Sequence, residues 1–189
     1  MALAVHLAVL QQFSGINAVV GYGSSIVSDV LPRYASAIPV ILNFEQVLTC
    51  LITAFLVERF GRKNLLQFGT IGASIFLLLI AVGFFIQSDT DNTGNVMIIA
   101  GLVFYMLFYG LSLGPVVWLY IPEIVEPKII PFSTLANWVS ASIVMILFPI
   151  LGSAIGSIGP LFLFFCIWCV MSFFVNWKFM VESKNKTQN

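Results

Sequence analysis

The side chains best equipped to do chemistry in this sequence are amides set inside apolar runs. Gln11, Gln12 and Asn17 fall within two helical turns, with Ser14 between them and Gly15, Gly21 and Gly23 close by. An amide offers donors and an acceptor together, so this group suits hydrogen-bonded recognition of an uncharged molecule. The same amides also serve as interhelical bonds worth about 1 kcal/mol each inside a membrane, and the residues alone leave both readings open. Asn43 and Gln46, three apart, share a helix face, whereas Glu45 between them lies on another. Asn137 and Ser133, four apart, share a face of a third stretch, and Trp138 follows. Tyr105, Tyr109 and Trp118 flank Gly114 and Pro115. These rings either stack on a sugar ring or pack ordinarily, and composition favours packing.

Machinery for covalent chemistry is missing from the sequence. His6 has no cysteines and carboxylates spaced to complete a metal site. There is no nucleophile triad, P-loop or dinucleotide fingerprint. Glu45 and His6 are the only pair a membrane enzyme could use. Glu45 reads as a proton carrier, a substrate ligand or a protonated carboxyl bonded to a neighbouring helix. Cys166 and Cys169 spell C-x-x-C without the βαβ context of a redox motif, and they read as small buried hydrophobes. The expectation is a non-enzyme with no cofactor and no metal. Eight basic against eight acidic residues argue against a nucleic-acid partner.

The elements that must position these groups are membrane spans. Hydrophobic residues make up 60% of the 189 positions and charged residues 8%, with a mean hydropathy of +1.04. A soluble domain carries roughly 25% charged residues and still exposes about a third of its surface, so lipid is the solvent that fits. Apolar runs predict six spans at 2–28, 36–57, 65–87, 96–120, 133–152 and 160–180, each near the ~20 residues that cross a bilayer. The expected organisation is a six-helix domain over 1–180 and a tail over 181–189. Seven of the eight basic residues fall on one side of this topology, Arg33 being the exception. The positive-inside rule then puts both chain ends in the cytoplasm. The Asn185–Thr187 sequon lies in that tail and is expected to go unused. The Gly114-Pro115 step should bend the fourth span, because proline removes a donor and clashes with the preceding turn.

The order of motifs resembles the C-terminal half of a sugar transporter of the major facilitator superfamily. The segment Gln11 to Ala18 resembles the QQxSGxNA motif of that family's seventh helix, and Glu58 to Lys63 its E/D-R-x-G-R-R/K loop. Gly114 to Trp118 followed by Pro122, Glu123 and Ile124 resembles GPxPW and the acidic exit of the tenth helix. Asn137-Trp138 matches the NW of the eleventh, and Glu182 to Lys184 resembles the PETK of the tail. The resemblance implies an all-α integral membrane fold, a six-helix bundle forming one half of a twelve-helix carrier, and transport of a hexose such as glucose by alternating access. It implies that Gln11, Gln12, Ile16, Asn17, Asn43, Gln46, Trp118, Asn137 and Trp138 contact the sugar. It implies that Gly114 and Pro115 form a hinge, and that Glu58, Arg59, Arg62, Glu123 and Glu182 form a cytoplasmic latch.

Three positions depart from the family pattern. Val117 replaces the second proline of GPxPW, which should soften the break. Gly110 stands where many members carry glutamate, and Ala141 where a second asparagine follows the NW. The implied partners are a sugar, the bilayer (the plasma membrane by expectation) and the other six-helix half or an equivalent subunit. A sugar-binding membrane receptor of the same fold, without transport, is the competing expectation.

Overall fold

The computed structural model describes residues 1–88 and 91–183. Asp89 and Thr90 of the expected outer loop, and Lys184, Lys186 and the Asn185–Thr187 sequon of the tail, lie outside the described residues. Among the described residues, six helical stretches are long and apolar enough to cross a membrane. The first is split into α1 (Ala2–Phe13) and α2 (Ile16–Val30); α3 (Ala37–Phe60) and α4 (Arg62–Ile86) are single. The fourth comprises α5 (Thr93–Phe108), a π-helical turn over Tyr109–Leu113 and α6 (Gly114–Ile124). The fifth is α7 (Ile130–Ile155), entered through a 3-10 turn at Pro127–Ile129, and the sixth is α8 (Gly159–Phe179).

These spans match the expected ones in number and order and differ at their ends. The helix of span three begins at Arg62 because Gly61 ends α3 and restarts the chain within one residue. Span five starts before Ser133, since Pro131 lies in the first turn of α7, where a missing N–H costs nothing. It also runs through Gly152 and ends at Gly156, whose φ of +77° turns the chain out of the helix.

Apolar burial cannot drive helix association in lipid, so close packing must. Between α4 and α5 the seam is lined by glycines on both sides. A Cβ on Gly94 would stand 2.7 Å from the Gly83 carbonyl oxygen, and one on Gly101 2.5 Å from Ile80. α4 packs along both α5 and α8, and α1 packs against α7. Phe148, Phe162 and Phe165 fill the space between α7 and α8 with edge-on and stacked contacts. α3 and α7 are the least covered spans. Val40, Phe44, Leu51 and Phe55 on α3, and Leu135, Trp138 and Ile146 on α7, remain exposed.

The break in the first span is built on Gly15. Its φ of +88° is left-handed, and a Cβ there would lie 2.6 Å from the Phe165 ring. Both the backbone and the contact demand glycine. Replacing Gly15 by alanine should destabilise the bundle by roughly 1–3 kcal/mol, measurable as a lower midpoint of thermal unfolding in detergent.

Candidate functional site

The two helix breaks face each other and between them organise the amides. Where α1 stops, the Ser14 carbonyl accepts the Tyr105 hydroxyl at 3.0 Å, and the Ser14 hydroxyl turns back onto the Gln11 carbonyl at 2.7 Å. Tyr105 is fully buried, so this ring is a packing anchor and not a ligand platform. In the fourth span, Gln11 Nε2 donates to the Leu113 and Gly114 carbonyls at 3.1 and 3.0 Å. Asn137, one turn beyond Ser133 on α7, reaches across to the Ala8 carbonyl at 2.9 Å.

The amides form a chain with one direction. Asn17 Nδ2 donates to Gln12 Oε1 at 2.6 Å, Gln12 Nε2 to Asn137 Oδ1 at 2.9 Å, and Asn137 Nδ2 to Gln11 Oε1 at 2.8 Å. Gln11 passes the series to the backbone of the break. The amides bind one another, and they also line an open cavity of about 690 Å³. Gln11, Gln12, Ile16, Asn17, Asn43, Gln46, Trp118, Asn137 and Trp138 all border that cavity, as do Gly114 and Pro115. Gln11, Gln12 and Asn137 are nearly fully buried, whereas Trp118 and Trp138 are 40% and 64% exposed and present broad apolar faces. The Asn43 amide donates to the Pro39 carbonyl at 2.8 Å on its own helix.

Tyr109, Val20, Val47 and Cys50 complete the lining. Cys50 was legible as a possible lining residue, since it follows Gln46 by four and shares its face. Tyr109, one of the rings the sequence offered for stacking or packing, borders the cavity from the π-helical turn and is itself nearly fully buried. Glu45 lies outside the cavity lining, on the other flank of α3. The break itself precedes Pro115, and α6 runs regularly through Val117, which is fully buried. A Cβ on Gly110 would be aimed at the Thr49 side chain on α3. Among the described residues, no group of three His, Cys, Asp or Glu is placed to hold a metal.

A second constellation lies at the end of the bundle where α3 meets α4. Arg62 is its hub, with Nη2 3.2 Å from Glu58 Oε1 and 3.1 Å from Glu123 Oε1. Glu182, expected in the latch, meets this cluster through the backbone of α4. Its two carboxylate oxygens accept the Arg62 and Lys63 backbone N–H groups at 2.9 and 3.1 Å, capping α4 where the helix dipole favours a negative charge. The chain after α8 is strapped down by Tyr120, whose hydroxyl donates to the Val181 carbonyl at 2.7 Å and accepts the Val181 N–H at 3.2 Å. Ser183 Oγ donates to Glu123 Oε2 at 2.5 Å. The Arg59 guanidinium lies 5.6 Å over the Phe60 ring. Opposite charges held at several helix ends make a cluster that can break and re-form as the helices move.

Comparison with known proteins gives the family and the fold. The family model described as "Sugar (and other) transporter" matches residues 1–189. The "Probable metabolite transport protein CsbC" of Bacillus subtilis is 32% identical over 193 residues, covering 99% of this chain and 41% of its own length. The "Glucose transport protein" of Synechocystis is 32% identical over 197 residues, covering 98% of this chain and 42% of its own. Among solved structures, the partially occluded, inward-open xylose transporter XylE from E. coli superposes with a TM-score of 0.82 at 26% identity, over 98% of this chain and 40% of that one. A double-tryptophan XylE mutant gives a TM-score of 0.89 at 24% identity, over the same shares, which speaks to the fold. The chain spans about two-fifths of the length of the relatives it matches.

Cys50 is exposed on the cavity wall, whereas Cys166 and Cys169 are buried. A polar maleimide added to the native protein in nanodiscs should therefore label one thiol per chain, and denaturation should raise this to three. Mass spectrometry that found Cys166 or Cys169 modified in the native protein would contradict the packing of α8.

Proposed function

The chain belongs to the sugar transporter family of the major facilitator superfamily and carries a six-helix half of that fold, and from this premise we propose that it forms half of a carrier that moves a hexose such as glucose by alternating access. The observation that carries the reading is the cavity. Amides from the first, second and fifth spans and tryptophans from the fourth and fifth converge on one open wall. Amides supply both donors and acceptors to sugar hydroxyls, and a tryptophan face suits the apolar face of a sugar ring.

The amide chain ties recognition to movement. A hydroxyl that takes over an Asn17 or Gln12 bond alters the series ending on the Leu113 and Gly114 carbonyls. Those carbonyls lie where the π-helical turn passes into α6. Sugar binding and the angle of the fourth span are then two readings of one hydrogen-bond network, which is the differential contact a conformational change requires. The cluster around Arg62 and Glu182 is the latch that holds one of the two states. The exposed apolar faces of α3 and α7 flank the cavity, and a second six-helix half sits against them, closing the sugar site between the two. The excess of basic residues at the latch side supports a cytoplasmic position for that side and for the tail over 181–189, with the carrier in the plasma membrane.

The test is assembly. Co-reconstituted with a six-helix N-terminal half, the chain should give saturable uptake of D-glucose over L-glucose. Alone in liposomes it should give none. Gln12→Ala should raise the half-saturation concentration about tenfold or more, since a buried amide partner is left unpaired. Sugar binding without uptake by the assembled protein would favour a receptor of the same fold instead.

A further inference from the structure

The break in the fourth span is held from two sides, and only the cavity side belongs to the sugar site. In the π-helical turn the Gly114 N–H bonds the Tyr109 carbonyl five residues back. The next rung in that register would run from residue 115 to the Gly110 carbonyl, but residue 115 is proline and has no N–H to give. A carbonyl freed at membrane depth must find a donor elsewhere in the protein. It finds one on α3: the Thr53 hydroxyl lies 3.1 Å from the Gly110 oxygen. Thr53 is fully buried, and the approach is possible because Gly110 has no side chain to hold α3 away from the turn.

We propose that Thr53 is a positioning residue for this break, its hydroxyl standing in for the donor that Pro115 lacks and doing so reversibly. The reversibility comes from a second acceptor, the Thr49 carbonyl one turn back on α3, at 2.8 Å from the same hydroxyl. One proton thus serves two oxygens. When the turn moves away, Thr53 falls back on its own helix and keeps a partner, so only the Gly110 carbonyl has to find a new donor as the contact breaks and re-forms. Thr49 extends the link, since its hydroxyl bonds the Glu45 and Gln46 carbonyls at 3.0 Å, and Gln46 borders the cavity. The second span therefore both walls the site and holds the bend of the fourth. This role in gating rests on the transport reading above; the clamp itself rests on the backbone accounting.

Amide exchange in the 109–114 segment of the chain in nanodiscs tests it. Thr53→Val keeps the shape and removes the hydroxyl, and it should speed exchange there about tenfold, the worth of one such bond. Thr53→Ser should stay near the wild type. Pro115→Ala restores the N–H, so Thr53→Val in that background should add no further acceleration. Thr53→Ala replaces Thr53→Val if the latter does not fold. Unchanged exchange in the hydroxyl-free variant, a serine variant as fast as valine, or the same acceleration with and without Pro115 would each overturn the proposal. Glucose uptake by the assembled carrier is scored separately: the exchange pattern without uptake upholds the clamp while removing the transport reading.

Discussion

A helix that breaks inside a bilayer must have its loose backbone groups answered by neighbouring protein, because hydrocarbon offers no partner. Most of the polar architecture of this chain follows from that requirement. The first span breaks at Gly15 and the fourth over Tyr109–Leu113, and the carbonyls at each break are met by side chains from a different span. Tyr105 of the fourth span serves Ser14 of the first, and Gln11 of the first serves Leu113 and Gly114 of the fourth. The first break is thus held by the fourth span, and the fourth by the first and, through Thr53, by the second. The two spans are therefore tied together by hydrogen bonds at both irregular points beside the cavity.

The surrounding scaffold is built to keep that unit in place without gripping it. α4, α5 and α8 form the tight part of the bundle, with glycine facing glycine or backbone across the α4–α5 seam. α3 and α7, by contrast, carry cavity residues on one face and exposed apolar residues on another. Rigid packing at the back and lightly covered helices at the front give a bundle whose cavity wall can shift while its frame does not. At the charged end the arrangement is similar: Tyr120 pins Val181 through two hydrogen bonds, leaving Glu182 to cap α4.

Much of this was legible in the residues. Span count and order followed from hydropathy. The Gly114-Pro115 step pointed to an irregularity in the fourth span because proline's backbone chemistry is local, though the π-helical turn lies just before it, over Tyr109–Leu113. The nine expected residues border one cavity, but helix period accounts only for pairs such as Asn43 and Gln46, which share a face of α3. Gln11 and Gln12 are sequence neighbours, and Asn17 lies beyond the turn at Gly15. The rest was hidden for a physical reason: it depends on register between spans, which a single sequence does not carry. Thr53 looks like any mid-span threonine until α3 is laid against Gly110. Tyr120 reads as an apolar-run aromatic until the chain after α8 folds back onto it. Arg62 and Arg59 are equal candidates for the hub by spelling, and only the geometry at Gly61 brings Arg62 between Glu58 and Glu123.

The one-way order of the amides carries a consequence for evolution of the site. Each of Asn17, Gln12, Asn137 and Gln11 must give a proton forward, and all but the first must also accept one. A carboxylate of identical shape accepts but cannot give, so a single nitrogen-to-oxygen exchange would put two acceptors face to face and stall the series. The cavity wall can therefore drift through the tryptophans and the apolar lining, residue by residue. The amides can change only as a set.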